Sequence, residues 1–398
     1  MRICFLTPRF PYPPLKGDTL RVYHQLRTLS RDHEITLLSL ADAPVSHDDY
    51  AQVAALCARV EVVPLPRWRM LWNVGTGLAS SRPLQVQYYR SAAVHAKLAA
   101  LLAQEPFDVL HATLIRVLPY VWKLRRPPVV VDLIDSLTLN LADRRDQVRG
   151  PKRLGYELEY RRVRRYEQAV VRHFPALVVT TEADRQDLGG GEQITVIPNG
   201  VDLDRFAFRG PDGRDPATLI FTGNMGYHPN EEAVIWFAAE VWPLLRAQRP
   251  GVRWQIVGAN PGERVRVLAQ PGSGIEVLGR VPDMTTYLGQ ATVAIAPMRS
   301  GSGIQNKVLE AMAVGTPVVA TSIANRGVRG APDHDLLVAD TPAAQAAALT
   351  GLLADPPAQV RLSQAGRAFV EQQFRWEQHA ARLSTIYASL AGARVASE

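Results

Sequence analysis

The chain has 398 residues, of which 47% are hydrophobic and 21% are charged, and its formal net charge is +7 at pH 7. This length predicts two domains, and the lack of any run of about 18 uncharged apolar residues argues against a membrane-spanning helix. The positive charge suits phosphate-bearing ligands or anionic membranes, whereas no zinc-finger, RRM or leucine-zipper pattern indicates nucleic acid. The N-terminus lacks the apolar core of a signal peptide, so we expect a cytoplasmic protein.

Short apolar strands alternate with helix-length segments along almost the whole chain, which predicts parallel sheets built from βαβ units. Strands are predicted in the first half at residues 2–7, 34–40, 59–64, 107–112, 127–132, 176–181 and 193–198. Strands are predicted in the second half at residues 218–223, 252–258, 274–279, 292–297, 316–321 and 335–340. The fold class is therefore α/β, with two doubly wound sheets whose ligands are expected beyond the carboxyl ends of the strands.

Two segments interrupt this alternation. Residues 65–90 mix arginines with aromatic side chains such as Trp68 and Trp72, a composition that suits a lipid headgroup interface and equally a loop folded over its own domain. Residues 152–173 carry apolar side chains near helical spacing, and their arginines alternate with glutamates. This second pattern predicts a helix with one solvated face.

The domain boundary is predicted in the stretch 199–216, because its Asn, Gly, Pro and Asp residues favour turns. We therefore assign residues 1–200 to an N-terminal domain and residues 201–375 to a C-terminal domain. A last helix, within residues 376–398, has no following strand and is expected to pack back on the N-terminal domain.

Residues 297–321 form the most informative segment, a Gly- and Ser-rich loop followed by an amphipathic helix, a Gly-Thr-Pro turn and a buried strand. The first amides of a helix have no acceptors within it, so this order predicts a phosphate site. Lys307 adds a positive charge in the first turn, and Glu310 follows where it can accept hydrogen bonds from sugar hydroxyls. The alternative is an ordinary Rossmann-like helix with both side chains in solvent. The spacing fits neither a Walker A loop nor GxGxxG, which disfavours a kinase or dehydrogenase.

Four segments together resemble the GT-B glycosyltransferases of family 4. They are PPLKGDTLR (13–21), VIPNGVD (196–202), FTGNMGYHPN (221–230) and the segment 297–321, in which NKVLEAMAVGTPVVA is highly specific. The sequence also resembles a narrower subgroup, the sugar transferases associated with exosortase and PEP-CTERM exopolysaccharide systems. The resemblance spans nearly the whole chain and implies two Rossmann-like doubly wound parallel-sheet domains that face a central cleft.

In this family the second domain binds the nucleotide-sugar. The resemblance implies as donor-binding residues Gly17, Asn224, His228, Arg299, Gly301, Ser302, Gly303, Ile304, Gln305, Asn306, Lys307 and Glu310. Glu310 matches the second glutamate of the family's pair, which contacts the ribose, whereas Ser302 stands where the first glutamate contacts the donor sugar. The segment 221–230 also lacks the family's Arg and Lys, and Lys307 and Arg299 are the candidates to replace that charge.

The first domain binds the acceptor in this family. The resemblance implies acceptor contacts for Lys16, Asp18 and Arg21, while Gly17 lets the donor approach closely. For residues 16–18 the alternative is a purely structural turn.

The candidate catalytic residues are Lys307 and three residues at strand ends of the first domain, His111, Asp132 and Asp135. Carboxylates at strand ends can bind acceptor hydroxyls or stabilise positive character at the anomeric carbon. The alternative for Asp135 is a helix N-cap.

The resemblance thus implies a retaining hexosyltransferase that uses a nucleoside-diphosphate-sugar and a lipid-linked or polysaccharide acceptor in exopolysaccharide or cell-envelope synthesis. No cofactor or metal is expected, and contact with an anionic membrane at its inner face is compatible with the basic, aromatic segment 65–90. Two alternatives remain, a nucleotide-sugar epimerase of GT-B fold and a non-catalytic scaffold that binds nucleotide-sugars.

Overall fold

The computed structural model describes residues 1–301 and 303–395. The chain forms two compact units. The first comprises Met1–Pro198 together with the C-terminal segment that begins at Trp376, and the second comprises Asn199–Arg375. The division falls after residue 198, where the sequence predicted it after residue 200.

The first unit contains a seven-stranded parallel sheet in the order β3-β2-β1-β4-β5-β6-β7. Its strands are β1 (Arg2–Thr7), β2 (Glu34–Ala41), β3 (Arg59–Pro64), β4 (Val109–Thr113), β5 (Val129–Ile134), β6 (Ala176–Val179) and β7 (Ile194–Val196). Every residue of β4 and β5 is buried, as is typical of central strands that helices cover on both faces. The strand order reverses between β1 and β4, and ligands of such sheets bind beyond the carboxyl ends at that point.

Helices cover both faces of this sheet. They are α1 (Gly17–Leu29), α2 (His47–Ala54), α3 (Arg67–Gly77), α4 (Leu84–Tyr88), α5 (Ala92–Gln104), α6 (Leu118–Val121), α7 (Leu137–Gln147), α8 (Pro151–His173) and α9 (Glu182–Asp187), with a 3-10 turn at Ile115–Val117. One core joins the sheet to α3, α4, α5, α6 and α8, and the core on the other face includes side chains of α1 and α2.

The second unit contains a six-stranded parallel sheet in the order β10-β9-β8-β11-β12-β13. Its strands are β8 (Thr218–Thr222), β9 (Arg253–Val257), β10 (Ile275–Gly279), β11 (Val293–Ala296), β12 (Val318–Ala320) and β13 (Leu337–Val338). Its helices are α10 (His228–Trp236), α11 (Trp242–Gln248), α12 (Glu263–Arg266), α13 (Met284–Gln290), α14 (Asn306–Val314), α15 (Ser322–Asn325), α16 (Pro342–Ala354) and α17 (Pro356–Gln373), with a π turn at Phe237–Val241. The order reverses between β8 and β11, which makes their carboxyl ends the expected ligand edge.

The last helix, α18 (Trp376–Val395), belongs to the first unit. Ala380, Leu383 and Tyr387 of α18 are buried in the same core as α1 and α2. The helix therefore completes one face of the first sheet, although the chain reaches it only after the whole second unit.

Each predicted strand corresponds to an observed one, and the strand ends differ by at most two residues. The segment 65–90, for which a loop was one interpretation, instead forms the helices α3 and α4. The predicted helix 152–173 is α8, which starts one residue earlier at Pro151. Mostly apolar runs identified the strands, because helices cover both faces of the central strands in each sheet.

Candidate functional site

The loop before α14 has backbone angles that favour glycine. Gly301 has a φ of 116° and Gly303 a φ of 75°, both in the left-handed region that L side chains rarely adopt. The loop is also packed closely, because a Cβ on Gly327 would lie 2.3 Å from the Gly303 carbonyl oxygen. Ser300 donates a hydrogen bond of 2.5 Å to Glu232 on α10. The loop is thus a fixed structure and can hold its amides in place. Ser302 lies outside the described residues.

The helix N-terminus that follows this loop is not capped by a side chain. Gln305 occupies the N-cap position and makes no capping hydrogen bond, so its side chain does not take the first amides of α14, and the Val308 amide donates to the Gln305 carbonyl oxygen at 2.9 Å. The Oδ1 atom of Asn306, the first residue of α14, is buried and has no hydrogen-bond partner among the described residues. Ile304 is partly exposed beside it. Uncapped amides and the helix dipole together favour an anion here.

The loop before α14 and the first turn of that helix form a cup, called the donor cup below, and Lys307 places its ammonium group inside it. The Nζ atom donates to Asn230 Oδ1 at 2.6 Å, lies 3.4 Å from Gln305 Oε1 and sits 4.9 Å from the centre of the Phe221 ring. No carboxylate of a described residue lies within 4.0 Å of it. Burial lowers the Lys307 pKa to about 7, and the charge of Glu310 only partly opposes this effect. The cup therefore contains a cation that lacks a close counter-ion.

Asn230, the partner of Lys307, is a residue that the sequence did not single out. Its Nδ2 atom donates to the Asn224 carbonyl oxygen at 2.9 Å while its Oδ1 atom accepts from Lys307. A Cβ on Gly223 would lie 2.8 Å from Asn230 Nδ2, so the turn after β8 packs directly on this amide. The only signal in the sequence was that Asn230 ends the segment FTGNMGYHPN.

The other predicted donor residues are distributed around the cup. The Oδ1 atom of Asn224 accepts from the Gly226 amide within its own turn and from Asn260, which lies in the loop after β9. His228 is exposed at the first residue of α10. Arg299 is exposed and its guanidinium stacks over the Trp236 ring at 4.8 Å. The role of Arg299 in diphosphate binding stays a prediction, since this stacking is its one described contact.

Glu310 lies one turn after Lys307 on α14 and is partly exposed. Burial raises the Glu310 pKa to about 7, and the nearby positive charges of Arg205 and Lys307 only partly oppose it. No hydrogen bond joins its carboxyl group to a described residue. Its oxygens are thus available as acceptors, as contact with ribose hydroxyls would require.

In the first unit, Asp132 is the centre of a buried network at the end of β5. Its Oδ2 atom accepts from Arg21 Nε at 2.7 Å and from Gln25 Nε2 at 2.8 Å, and it lies 3.8 Å from His111 Nε2. Burial raises the Asp132 pKa, but Arg21, with His111 and Gln25, outweighs it and holds the pKa below its usual value. Burial lowers the pKa of His111 to about 4, so this ring is neutral at pH 7.

This burial corrects one interpretation of the sequence. The side chains of Arg21, Asp132 and His111 have no exposed surface, so Arg21 does not present itself to an acceptor. Arg21 instead neutralises Asp132 beneath the strand ends. Asp132 and His111 are equally buried, so neither side chain has exposed surface with which to contact a substrate, contrary to their proposed catalytic role.

Asp135 is the partly exposed carboxyl group at this edge. It accepts a hydrogen bond of 3.0 Å from Thr180. Burial, and then the neighbouring charge of Asp184, raise the Asp135 pKa to about 6. The N-cap alternative is wrong, because Ser136 caps α7 by accepting from the Leu139 amide.

Strained backbone surrounds Asp135. Leu114 follows β4 with a φ of 67°, and Ile134 ends β5 with a φ of 66°. Such angles in branched residues cost free energy, and they occur most often at functional sites. The Leu114 amide donates to the Asp132 carbonyl at 2.7 Å, which ties the two strand ends together.

Lys16, Gly17 and Asp18 lie at the start of α1. Gly17 is exposed and has open space where a Cβ would stand, so it permits close approach but its backbone does not require glycine. Asp18 accepts from Arg9 Nη1 at 2.7 Å and lies 3.9 Å from Arg116. Lys16 is exposed at the N-cap position.

Two family models match the chain. The model described as "Glycosyl transferase 4-like domain" matches residues 17–200, and the model described as "Glycosyl transferases group 1" matches residues 216–355. Phosphatidyl-myo-inositol mannosyltransferase of Mycolicibacterium smegmatis is 28% identical over 389 residues, which cover 93% of this chain and 90% of that protein.

Solved structures share the fold over nearly the whole chain. Sucrose-phosphate synthase from Thermosynechococcus elongatus superposes with a TM-score of 0.73 at 18% identity, covering 99% of this chain and 100% of that one. Anabaena HepE in complex with UDP-glucose superposes with a TM-score of 0.66 at 15% identity, covering 98% and 100%. This chain is therefore a glycosyltransferase that belongs to the group 1, family 4-like enzymes and has the GT-B fold.

Proposed function

We propose that this glycosyltransferase moves a hexosyl group from a nucleoside-diphosphate-sugar, bound by the second unit, to a lipid-linked acceptor bound by the first. The observation that carries the proposal is the uncapped N-terminus of α14 beside Lys307, a cation with no carboxylate within 4.0 Å among the described residues. A diphosphate would supply the missing counter-ion and accept from the free amides. In support, a protein of the same fold, Anabaena HepE, was solved with UDP-glucose.

The proposed chemistry uses Lys307 and the α14 amides of the second unit together with Asp135 of the first. Negative charge grows on the leaving diphosphate as the glycosidic bond breaks, and Lys307 with the α14 amides would stabilise it. Asp135, as a carboxylate, would stabilise positive character at the anomeric carbon or bind an acceptor hydroxyl. We propose that the transfer proceeds with retention of configuration and without a metal ion.

The proposed acceptor is lipid-linked because α3 presents an apolar face to solvent. Trp68, Leu71 and Trp72 are 69%, 67% and 69% exposed, and their spacing places them on one side of the helix. Arg67 and Arg69 are exposed beside them. Exposed aromatic side chains flanked by arginines suit the headgroup region of an anionic membrane. In support, the mycobacterial relative is named for transfer to a phosphatidyl-inositol.

Among the described residues, none of the helices combines the length and apolar character needed to cross a bilayer. The proposed contact is therefore peripheral, at the inner face of the membrane. Exopolysaccharide or cell-envelope synthesis, and membership of the exosortase-associated subgroup, are parts of the same proposal.

A transfer assay tests this function. Purified protein receives radiolabelled UDP-, GDP- or ADP-sugars together with either a bacterial lipid extract or soluble polysaccharide. We expect label in the lipid phase with the wild type and much less with Lys307→Ala. Label in polysaccharide alone would contradict a lipid-linked acceptor. Conversion of the donor sugar without any acceptor would instead indicate an epimerase, and binding without turnover a scaffold.

A further inference from the structure

A separate cavity of about 870 Å³ lies in the first unit, between α8 and the segments that contain α4, α5 and α6. Part of its wall is apolar and aromatic, with Tyr120, Trp122 and Tyr166 among the lining residues. This volume is in the range of small-molecule sites, which are mostly apolar with a few placed polar groups. The predicted catalytic residues do not line it.

The charged residues that line the cavity are all basic. They are Arg82, Arg90, Arg116, Lys123, Arg162 and Arg165. Within the described part of the chain, Arg82, Lys123 and Arg165 make no ion pair. Like charges gathered around apolar walls repel one another, so this arrangement is stabilised when an anion binds.

Arg116 is the most buried of these cations. Its Nη2 atom donates to Gln85 Oε1 at 3.1 Å, and its nearest carboxylate, that of Asp18, is 3.9 Å away. Its Nε and Nη1 atoms are buried without a hydrogen-bond partner among the residues that the structure describes. Unused guanidinium donors of this kind match the geometry of phosphate oxygens.

Hydrogen bonds join two residues that line the cavity, Arg90 and Arg162, to α3 and to the residue that follows it. Asn73, on the buried side of α3, donates to the carbonyl oxygen of Arg90 at 2.8 Å. Arg162 donates to the carbonyl oxygen of Leu78, at the end of α3, at 2.7 Å. The basic cavity therefore adjoins the buried side of α3, the helix whose opposite side carries the aromatic face that is proposed to meet the membrane.

One residue that lines the cavity, Arg116, belongs to the segment that follows β4, next to the edge that carries Asp135. Arg116 lies three residues beyond the end of β4, and Asp135 directly follows β5. These two strands are neighbours in the sheet, with Thr113 opposite Asp132. An amphiphile whose anionic group reaches Arg116 would thus enter the carboxyl edge of the first unit from the α3 side.

We propose that this cavity binds the phosphate headgroup of a lipid-linked acceptor, with the first part of its hydrocarbon chain against the aromatic wall. The inference rests on the proposed function, because it places the acceptor's phosphate in the first unit. The arginines bind the phosphate oxygens, and Tyr120, Trp122 and Tyr166 cover the chain.

Calorimetric titration of the full chain tests this inference with farnesyl phosphate, below its critical micelle concentration, as the probe. Inorganic phosphate and farnesol are titrated in parallel. We expect farnesyl phosphate to bind at least tenfold more tightly than either. Equal affinity for inorganic phosphate would contradict the claim that the ligand is a lipid. Equal affinity for farnesol would contradict the claim that the cavity binds a phosphate group. Absence of farnesyl phosphate binding would overturn the whole inference.

Matched variants locate the binding. The double substitution Arg82→Gln with Arg165→Gln should lower the affinity for farnesyl phosphate at least tenfold. The control is Arg161→Gln with Arg164→Gln, which removes the same charge from exposed positions of α8 outside the cavity. An equal loss in the control would overturn the assignment to this cavity. All four arginines are at the surface or cavity rim, so unchanged thermal unfolding is expected.

Two further measurements separate this inference from the proposed function. Lys307→Ala should bind farnesyl phosphate as the wild type does, and a loss there would move the probe to the donor cup and overturn the cavity site. If the cavity variants bind farnesyl phosphate more weakly but the wild type transfers no sugar to lipid, the proposed function is wrong and the phosphate site in the cavity is supported. If transfer to lipid occurs while the wild type does not bind farnesyl phosphate, only the inference fails.

Discussion

The Tyr387 hydroxyl lies 2.7 Å from Nδ1 of His111, which joins the last helix of the chain to a central strand of the first sheet. His111 in turn lies beside Asp132. Burial raises the Tyr387 pKa well above its usual value, so the hydroxyl keeps its proton. The C-terminal helix therefore supports the buried network beneath the proposed acceptor edge, although about 180 residues of the second unit separate it from the rest of the first.

Tyr387→Phe tests this support. The substitution leaves a ring nitrogen of His111 buried without its partner, so we expect a loss of about 1–3 kcal/mol in the free energy of unfolding. Urea denaturation followed by circular dichroism measures the change. Thr385→Ala, an exposed position on the same helix, is the control and should change the free energy much less. Equal stability of Tyr387→Phe and the wild type would show that the contact contributes nothing.

Asp132→Asn should destabilise the first unit strongly. The variant removes one charge of the fully buried Arg21–Asp132 ion pair, and breaking a buried pair in this way costs about 3–5 kcal/mol. The Asp132 pKa is held below its usual value, so its contribution is present above the unfolded-state pKa and is lost as pH falls through the lowered folded-state pKa. The difference in the free energy of unfolding between variant and wild type should therefore shrink below about pH 4. Urea midpoints from pH 3 to 7 measure it, and a difference independent of pH would contradict the ion pair.

The strands and the glycine-rich loop before α14 could be predicted because their signals are local. Each strand is a short, mostly apolar run, and Gly301, Gly303 and Lys307 lie within one segment of sequence. Asn230 was missed because it meets Lys307 across 77 residues. Arg21 was misread for the same reason, since its partner Asp132 is 111 residues away. Burial of a charged side chain depends on such distant partners.

The outward orientation of Trp68 and Trp72 on α3 could not be predicted from the sequence. From the sequence, Trp68 and Trp72 fitted a membrane contact and internal packing equally well. The structure argues against packing inside the first unit, because Asn73 anchors the opposite side of the helix to the Arg90 carbonyl and leaves the tryptophans outward, whereas the membrane contact stays a proposal. Helical periodicity alone could not show which face the rest of the unit covers.

Trp68→Ser with Trp72→Ser should reduce membrane binding. Co-sedimentation with vesicles of phosphatidylcholine and anionic phosphatidylglycerol should show the wild type bound at low salt and released as salt rises. Loss of two aromatic side chains from the interface should lower the partition coefficient about tenfold or more. Leu244→Ser with Val267→Ser, exposed positions of the second unit, is the control for general surface hydrophobicity. A wild type that stays in the supernatant at low ionic strength would refute the membrane contact.

Asp135→Asn should lower sugar transfer and leave nucleotide affinity near that of the wild type. Asp135 lies in the first unit, whereas the donor cup lies in the second, so the substitution affects the transition state rather than donor binding. Because the Asp135 pKa is about 6, the rate of transfer by the wild type should rise with pH through about 6 as the carboxylate forms. The rate of the variant should not show this rise. Asp146→Asn, an exposed position on α7, is the control. Transfer at the wild-type rate would remove Asp135 from the mechanism.

Lys307→Ala should weaken binding of nucleotide-sugars by about 1.5–3 kcal/mol through loss of one charge-assisted contact. A bound diphosphate favours the charged ammonium group, so binding should raise the Lys307 pKa from about 7. Affinity should then be highest below pH 7 and fall as pH rises from about 7 through the raised pKa of the complex. Calorimetry at pH 8 in two buffers of different ionisation enthalpy should detect proton uptake by the wild type.

Two variants assign this uptake to Lys307 rather than to Glu310, whose pKa is also about 7. In Glu310→Gln the fall in affinity above pH 7 should persist, whereas in Lys307→Met it should disappear together with the proton uptake. The exposed Lys152→Met, on α8 of the first unit, controls for the loss of one positive charge and should bind as the wild type does. Proton uptake that survives in Lys307→Met would place the titrating cation elsewhere and remove Lys307 from the donor cup.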